Sequence, residues 1–168
     1  MIRLRRIILF RMKLRGIIFH PITVLCIALS ATLVFASVIV MCSHGRRSFH
    51  SLYYVAPIGV PFIAFLFERC ERFQKLTRSA FLVDSLTIGL AAARAEIAIP
   101  WLSGHSLFLT YAFLTSKTLV VRVTALIVMI QVLYLKLFVW GDFEVLGGIV
   151  LGIITSVIFR TCVKRRTS

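Results

Sequence analysis

Residues 21–41 contain no charged side chain. An apolar stretch of that length matches the roughly 20 residues a helix needs to cross a bilayer core. Hydrocarbon offers no partner to free backbone N–H and C=O groups, so a segment buried there must be helical or part of a closed barrel. Five further apolar stretches follow, at 52–67, 79–93, 105–116, 118–140 and 145–163. Between them lie short polar connections. The expectation is one all-α transmembrane domain over residues 1–168, an integral membrane six-helix bundle.

Composition supports this against the alternatives. Sixty percent of the chain is apolar and 15% is charged, whereas a soluble domain is about 45–50% apolar and about 25% charged. Too little polar surface remains to coat a water-soluble globule. A soluble enzyme, a disordered tail and a disulfide-stapled secreted mini-domain are excluded on that ground. The four cysteines, Cys26, Cys42, Cys70 and Cys162, are far apart and form no CxxC pair, so they read as small apolar filler rather than metal ligands. No metal and no cofactor are expected.

The formal net charge is +14. In a soluble protein that excess would point to nucleic acid; in this chain the cations flank apolar spans, so nucleic acid is not an expected partner and anionic membrane lipid is. Arg3, Arg5, Arg6, Arg11, Lys13 and Arg15 precede the first span, and Arg160, Lys164, Arg165 and Arg166 close the last. Arg69, Arg72, Lys75 and Arg78 separate the second and third spans, and Lys117 and Arg122 stand near the connection of the fourth to the fifth. Positively charged loops stay in the cytoplasm. The alternation therefore gives six spans with both termini cytoplasmic, and a bacterial inner membrane is the expected location. The fourth stretch is short, and the competing reading makes it the front of one long helix through Trp140. That would leave five spans and a basic C-terminus outside, so a turn is expected at Ser116-Lys117-Thr118. Residues 1–16 read as a basic interfacial helix on anionic lipid, with a transit peptide as the competing reading. Pro57 and Pro61 predict a kinked second helix.

This topology brings scattered polar residues to one membrane face. Arg94, Glu96, Ser103, Gly104 and His105 lie at the outer ends of spans three and four; Lys136, Asp142 and Glu144 lie at those of five and six; His44, Arg46, Arg47 and His50 lie between spans one and two. Ionisable groups at membrane depth are costly and are functional candidates for that reason. Ser103-Gly104-His105 immediately before a helix is the sharpest element. Glycine permits close backbone approach, a helix N-terminus favours anions, and histidine moves protons near neutral pH. Arg94 could clamp phosphate through two N–H groups. The plainer readings are a serine helix cap, an interfacial histidine, a snorkelling Lys136 and an Asp84 paired with Arg78 or Lys75. Gly148 and Gly152, four residues apart, predict close packing of the last helix within the bundle.

Ser103-Gly104-His105 and the tail Val145-Leu146-Gly147-Gly148-Ile149-Val150-Leu151-Gly152, in this order and topology, resemble the type 2 phosphatidic acid phosphatase superfamily over about 79–160. Its members are six-span helical membrane proteins that remove phosphate from lipid phosphates and polyprenyl diphosphates. Their pattern is Lys-x6-Arg-Pro, then Pro-Ser-Gly-His, then Ser-Arg-x5-His-x3-Asp. The resemblance implies a lipid phosphate or polyprenyl phosphate as ligand. It implies His105 as acid or base, Arg94, Ser103 and Gly104 as phosphate-binding groups, and Glu144 in the place of the orienting aspartate. Lys136 would replace a missing cation. The chain departs from the pattern at Leu102 for proline, at Thr87 for lysine and at Ala95 for proline. In the third motif Leu133, Tyr134 and Trp140 fall on serine, arginine and the nucleophilic histidine. No histidine follows His105, so the usual phosphohistidine route has no nucleophile in that segment. His44 and His50 are the candidates for a substitute. The competing readings are a non-catalytic protein that binds an anionic lipid or assists its transport, and a small membrane scaffold subunit.

Overall fold

Proline at a first helical position costs no hydrogen bond and presets the backbone angle, and Pro21 opens the first helix here. The computed structural model describes residues 12–14, 17–19, 21–44, 50–72, 76–94 and 101–164, with no side-chain description at 12–14, 17–19, 41–44 and 50–55. Among the described residues six helices follow in order: α1 (Pro21–His44), α2 (His50–Arg72), α3 (Arg78–Ala93), α4 (Gly104–Thr115), α5 (Leu119–Leu133) and α6 (Glu144–Lys164). A π-helical segment, Tyr134–Val139, continues α5. Most of these limits follow the apolar stretches of the sequence; α2 runs on past its stretch through Glu68, Arg69, Glu71 and Arg72.

Three helical stretches are long and apolar enough to cross a membrane: Pro21–Val40, Leu119–Val139 and Glu144–Lys164. Their outward faces carry Leu25, Phe35, Ile130, Phe138 and Val150, all well exposed. A contiguous apolar exterior of this kind is what lipid covers. At 1.5 Å per residue α3 and α4 span only about 24 and 18 Å, short of the full hydrocarbon thickness.

Ahead of α1, β1 (Met12–Leu14) pairs antiparallel with β2 (Ile17–Phe19), Leu14 opposite Ile17. This corrects the helix expected over 1–16 at its described part. Ile17, Ile18 and Phe19 favour extended backbone. The rest of the basic segment lies outside the described residues.

The shortest helix is the centre. α4 packs against α2, α3, α5 and α6, and Ser106, Leu107, Leu109, Tyr111 and Ala112 are fully buried. A helix covered on every side needs no polar stripe. α6 comes closest to it. A Cβ at Gly152 would stand 2.9 Å from the Leu107 carbonyl oxygen and 2.7 Å from Thr110 Cβ, and one at Gly148 would overlap Ser106 Oγ and the Ser103 carbonyl. The expected glycine contact is therefore a seam inside the bundle, between α6 and α4.

The helix breaks after Thr115, where Ser116 is extended (φ −75°, ψ 148°), so α4 does not run on to Trp140 and the expected turn at Ser116-Lys117-Thr118 is present. Glu68 of α2 holds this turn. Its carboxylate accepts from the Lys117 and Thr118 amides at 2.9 and 3.2 Å and from Thr118 Oγ1 at 2.5 Å. These contacts supply an anion at the start of α5, where the first amides of a helix lack partners.

Beside this turn sits a buried ionic knot. Arg69 Nε lies 3.0 Å from Asp84 Oδ2, and its Nη2 donates to Thr115 Oγ1 at 2.7 Å. Its guanidinium lies 4.5 Å from the Phe65 ring centroid and 4.6 Å from that of Phe159. Tyr111 donates its hydroxyl to Asp84 Oδ1 at 2.5 Å. The partner of Asp84 is thus Arg69, not Arg78; Lys75 lies outside the described residues. Six residues along a helix turn Arg78 and Asp84 onto different faces, and the Asp84 face points at α4.

Candidate functional site

Four segments end together at the end of α4 remote from the ionic knot. Arg94 closes α3, Ser103 and Gly104 open α4, Lys136 sits in the π-helical segment, and Glu144 opens α6. Arg94 Nε donates to the Leu102 carbonyl at 2.5 Å and its Nη2 to Glu144 Oε1 at 3.0 Å. Lys136 Nζ donates to Asp142 Oδ2 and, at 3.3 Å, to Glu144 Oε2. The Ser103 amide donates to the Glu144 carbonyl at 3.1 Å. His105 lies close enough for the charges of Lys136 and Arg94 to act on its ring. Arg94, Ser103, Lys136, Asp142 and Glu144 are thus joined by hydrogen bonds, and Gly104 and His105 follow Ser103 at the start of α4.

Their local roles differ from expectation in three places. A Cβ at Gly104 would overlap the Ala91 carbonyl oxygen and lie 3.2 Å from Arg94 Cβ. The missing side chain lets α4 meet the end of α3, so the close approach is to protein rather than to a ligand. Ser103 is not a side-chain cap of α4; its buried hydroxyl has no hydrogen-bond partner among the described residues. Lys136 does not snorkel outward. It is 9% exposed and turns back onto two carboxylates.

Asp142 is the member that sequence reasoning left among the loop polar groups. Its Oδ1 accepts from the Glu144 amide at 3.0 Å and its own amide donates to the Lys136 carbonyl at 2.6 Å. This is an aspartate turn that bonds its own backbone two residues on. The preceding Gly141 has φ +64°, a conformation that favours glycine. Gly-Asp after an apolar run was the available signal. The π-helical winding of Tyr134–Val139 had none, and it is this segment that carries Lys136 to the carboxylates.

Among the described residues the charges of the cluster balance. Two cations, Arg94 and Lys136, face two carboxylates, Asp142 and Glu144. A cleft of about 530 Å³ opens against it, walled by Trp101, Trp140, Phe143, Asp142 and Glu144. Glu96, Arg46 and Arg47 lie outside the described residues, as do the side chains of His44 and His50. Comparison with protein-family models, curated proteins and solved structures finds no match.

Proposed function

We propose that this chain is a divergent lipid phosphate phosphatase-like membrane protein that holds a phosphorylated lipid or polyprenyl (di)phosphate at the end of the bundle where α3, α4 and α6 meet. In this reading the protein is a six-span bundle with both termini in the cytoplasm, and the site faces the opposite leaflet. One observation carries the proposal: Arg94, Ser103, Lys136 and Glu144, from four separate segments, are hydrogen-bonded into one cluster.

A phosphate would enter by exchange. Its oxygens replace those of Glu144 on Arg94 Nη2 and Lys136 Nζ, so the cations keep their hydrogen bonds and Glu144 turns toward the cleft. Charge-assisted bonds of this kind are the strong ones. For hydrolysis, water would attack the phosphorus as the ester oxygen leaves; neighbouring cations favour a neutral imidazole, so His105 would take the proton of that water and pass it to the departing oxygen. Without a histidine in the third motif, binding is the primary reading and hydrolysis the second.

The test uses purified protein in detergent, with phosphatidic acid and a polyprenyl diphosphate as ligands. Arg94→Gln is expected to weaken binding about tenfold or more, the cost of losing a hydrogen bond to a charged group. Phosphate release that disappears in His105→Ala would establish hydrolysis. Absence of binding and release, or binding indifferent to Arg94, would leave a scaffold subunit and overturn the proposal.

A further inference from the structure

The charge balance of the cluster bears on what the cleft can hold. A site built for a simple phosphate carries surplus positive charge, since its ligand brings two negative charges. Here, among the described residues, Arg94 and Lys136 are matched by Asp142 and Glu144. Neither cation is among the residues that wall the cleft; both carboxylates are. Beside them stand three aromatic rings, Trp101, Trp140 and Phe143, with Trp101 61% and Phe143 70% exposed. Carboxylates among aromatic faces favour a cation, because the ring quadrupole and the carboxylate attract the same charge. Glu144 belongs to both halves: its oxygens hold the two cations, and its side chain walls the cleft.

We infer that the cleft takes the ammonium group of a zwitterionic phosphate headgroup, such as a phosphoethanolamine or phosphocholine. The phosphate rests on Arg94 and Lys136, and the ammonium lies between Asp142, Glu144 and the aromatic walls. A ligand that carries one charge of each sign leaves this balance unchanged, whereas a phosphate monoester would add two negative charges with nothing to offset them. The inference rests on the phosphate-binding reading above and narrows its ligand.

The two tryptophans of the chain both wall this cleft, so intrinsic fluorescence reports its occupancy directly. Short-chain dihexanoyl phosphatidylethanolamine, phosphatidylcholine and phosphatidic acid are titrated into the detergent-solubilised full chain. The zwitterionic lipids are expected to saturate the signal at a several-fold lower concentration than phosphatidic acid. Phe143→Leu, which keeps an apolar side chain but removes the ring, is expected to weaken zwitterion binding about two- to fivefold, the span of an exposed cation–π contact, and to leave phosphatidic acid unchanged. Equal or tighter binding of phosphatidic acid that still requires Arg94 would overturn the ammonium subsite while leaving the phosphate site. Binding indifferent to Phe143 would reduce the rings to an interfacial aromatic belt and likewise overturn it. No response to any of the three lipids would end both readings.

Discussion

At the residue scale the molecule depends on carboxylates that sequence inspection undervalues. Glu68 lies just beyond the apolar stretch 52–67. Burial works against its charged form, but the Thr118 hydroxyl, the Lys117 and Thr118 amides and the Arg72 guanidinium outweigh this and hold its carboxyl below the usual range. A group whose folded pKa is depressed contributes stability above its unfolded pKa and loses it as pH falls through the folded value. Melting temperature in detergent is therefore expected to drop as pH falls from neutral through the carboxylate range. Glu68→Gln should lower the neutral-pH melting point and flatten this part of the profile. A profile unchanged by that substitution would remove Glu68 as the acid-sensitive hold on the turn between α4 and α5. The residue could be read from the sequence as a charge near a membrane end, but its donors lie 49 and 50 positions away, and no local pattern announces them. Asp84 and Arg69 are legible in the same partial way: helical spacing excludes Arg78 as the partner, yet only the approach of α2 to α4 selects Arg69.

At the element scale, helix limits were the most legible feature, since the hydrocarbon-length rule and flanking charge act along one stretch of chain. Winding and contact were less so. The π-helical turn at Tyr134–Val139 leaves no composition signature, and the short α4 reads as a weak span although it is the most enclosed helix. Glycines separate the two kinds of information. Gly148 and Gly89 are both helical, but a Cβ meets Ser106 and Ser103 atoms at the first and nothing within 4 Å at the second. Gly148→Ala is expected to destabilise by about 1–3 kcal/mol, the usual cost of overpacking. Gly89→Ala should stabilise by about 0.5–1 kcal/mol, because alanine is the better helix former. Unfolding titrations in mixed detergent measure both, and equal effects would show that the seam between α4 and α6 tolerates a methyl group.

At the scale of the whole molecule, the chain buries ionic groups at both ends of one bundle. That arrangement underlies the proposed orientation, in which the Arg69 knot lies near the cytoplasm and the Arg94 cluster near the opposite face. In a variant stripped of native cysteines, Arg78→Cys should react with a membrane-impermeant maleimide from the cytoplasmic side and Phe143→Cys from the other. Both positions are exposed. Reaction of the two from a common side would rule out the six-span arrangement. Charge asymmetry in the loops is the basis of this proposed orientation. The meeting of four segments was readable only in outline, because lateral neighbours in a bundle are chosen by side-chain shape.

Both ionic groups share α4, whose first residues touch one and whose Tyr111 and Thr115 serve the other. Adding or deleting a single residue in that helix would rotate one group about 100° against the other. Twelve residues therefore act as a gauge of fixed length and phase between two layers of charge, and lengthening is tolerable only outside it.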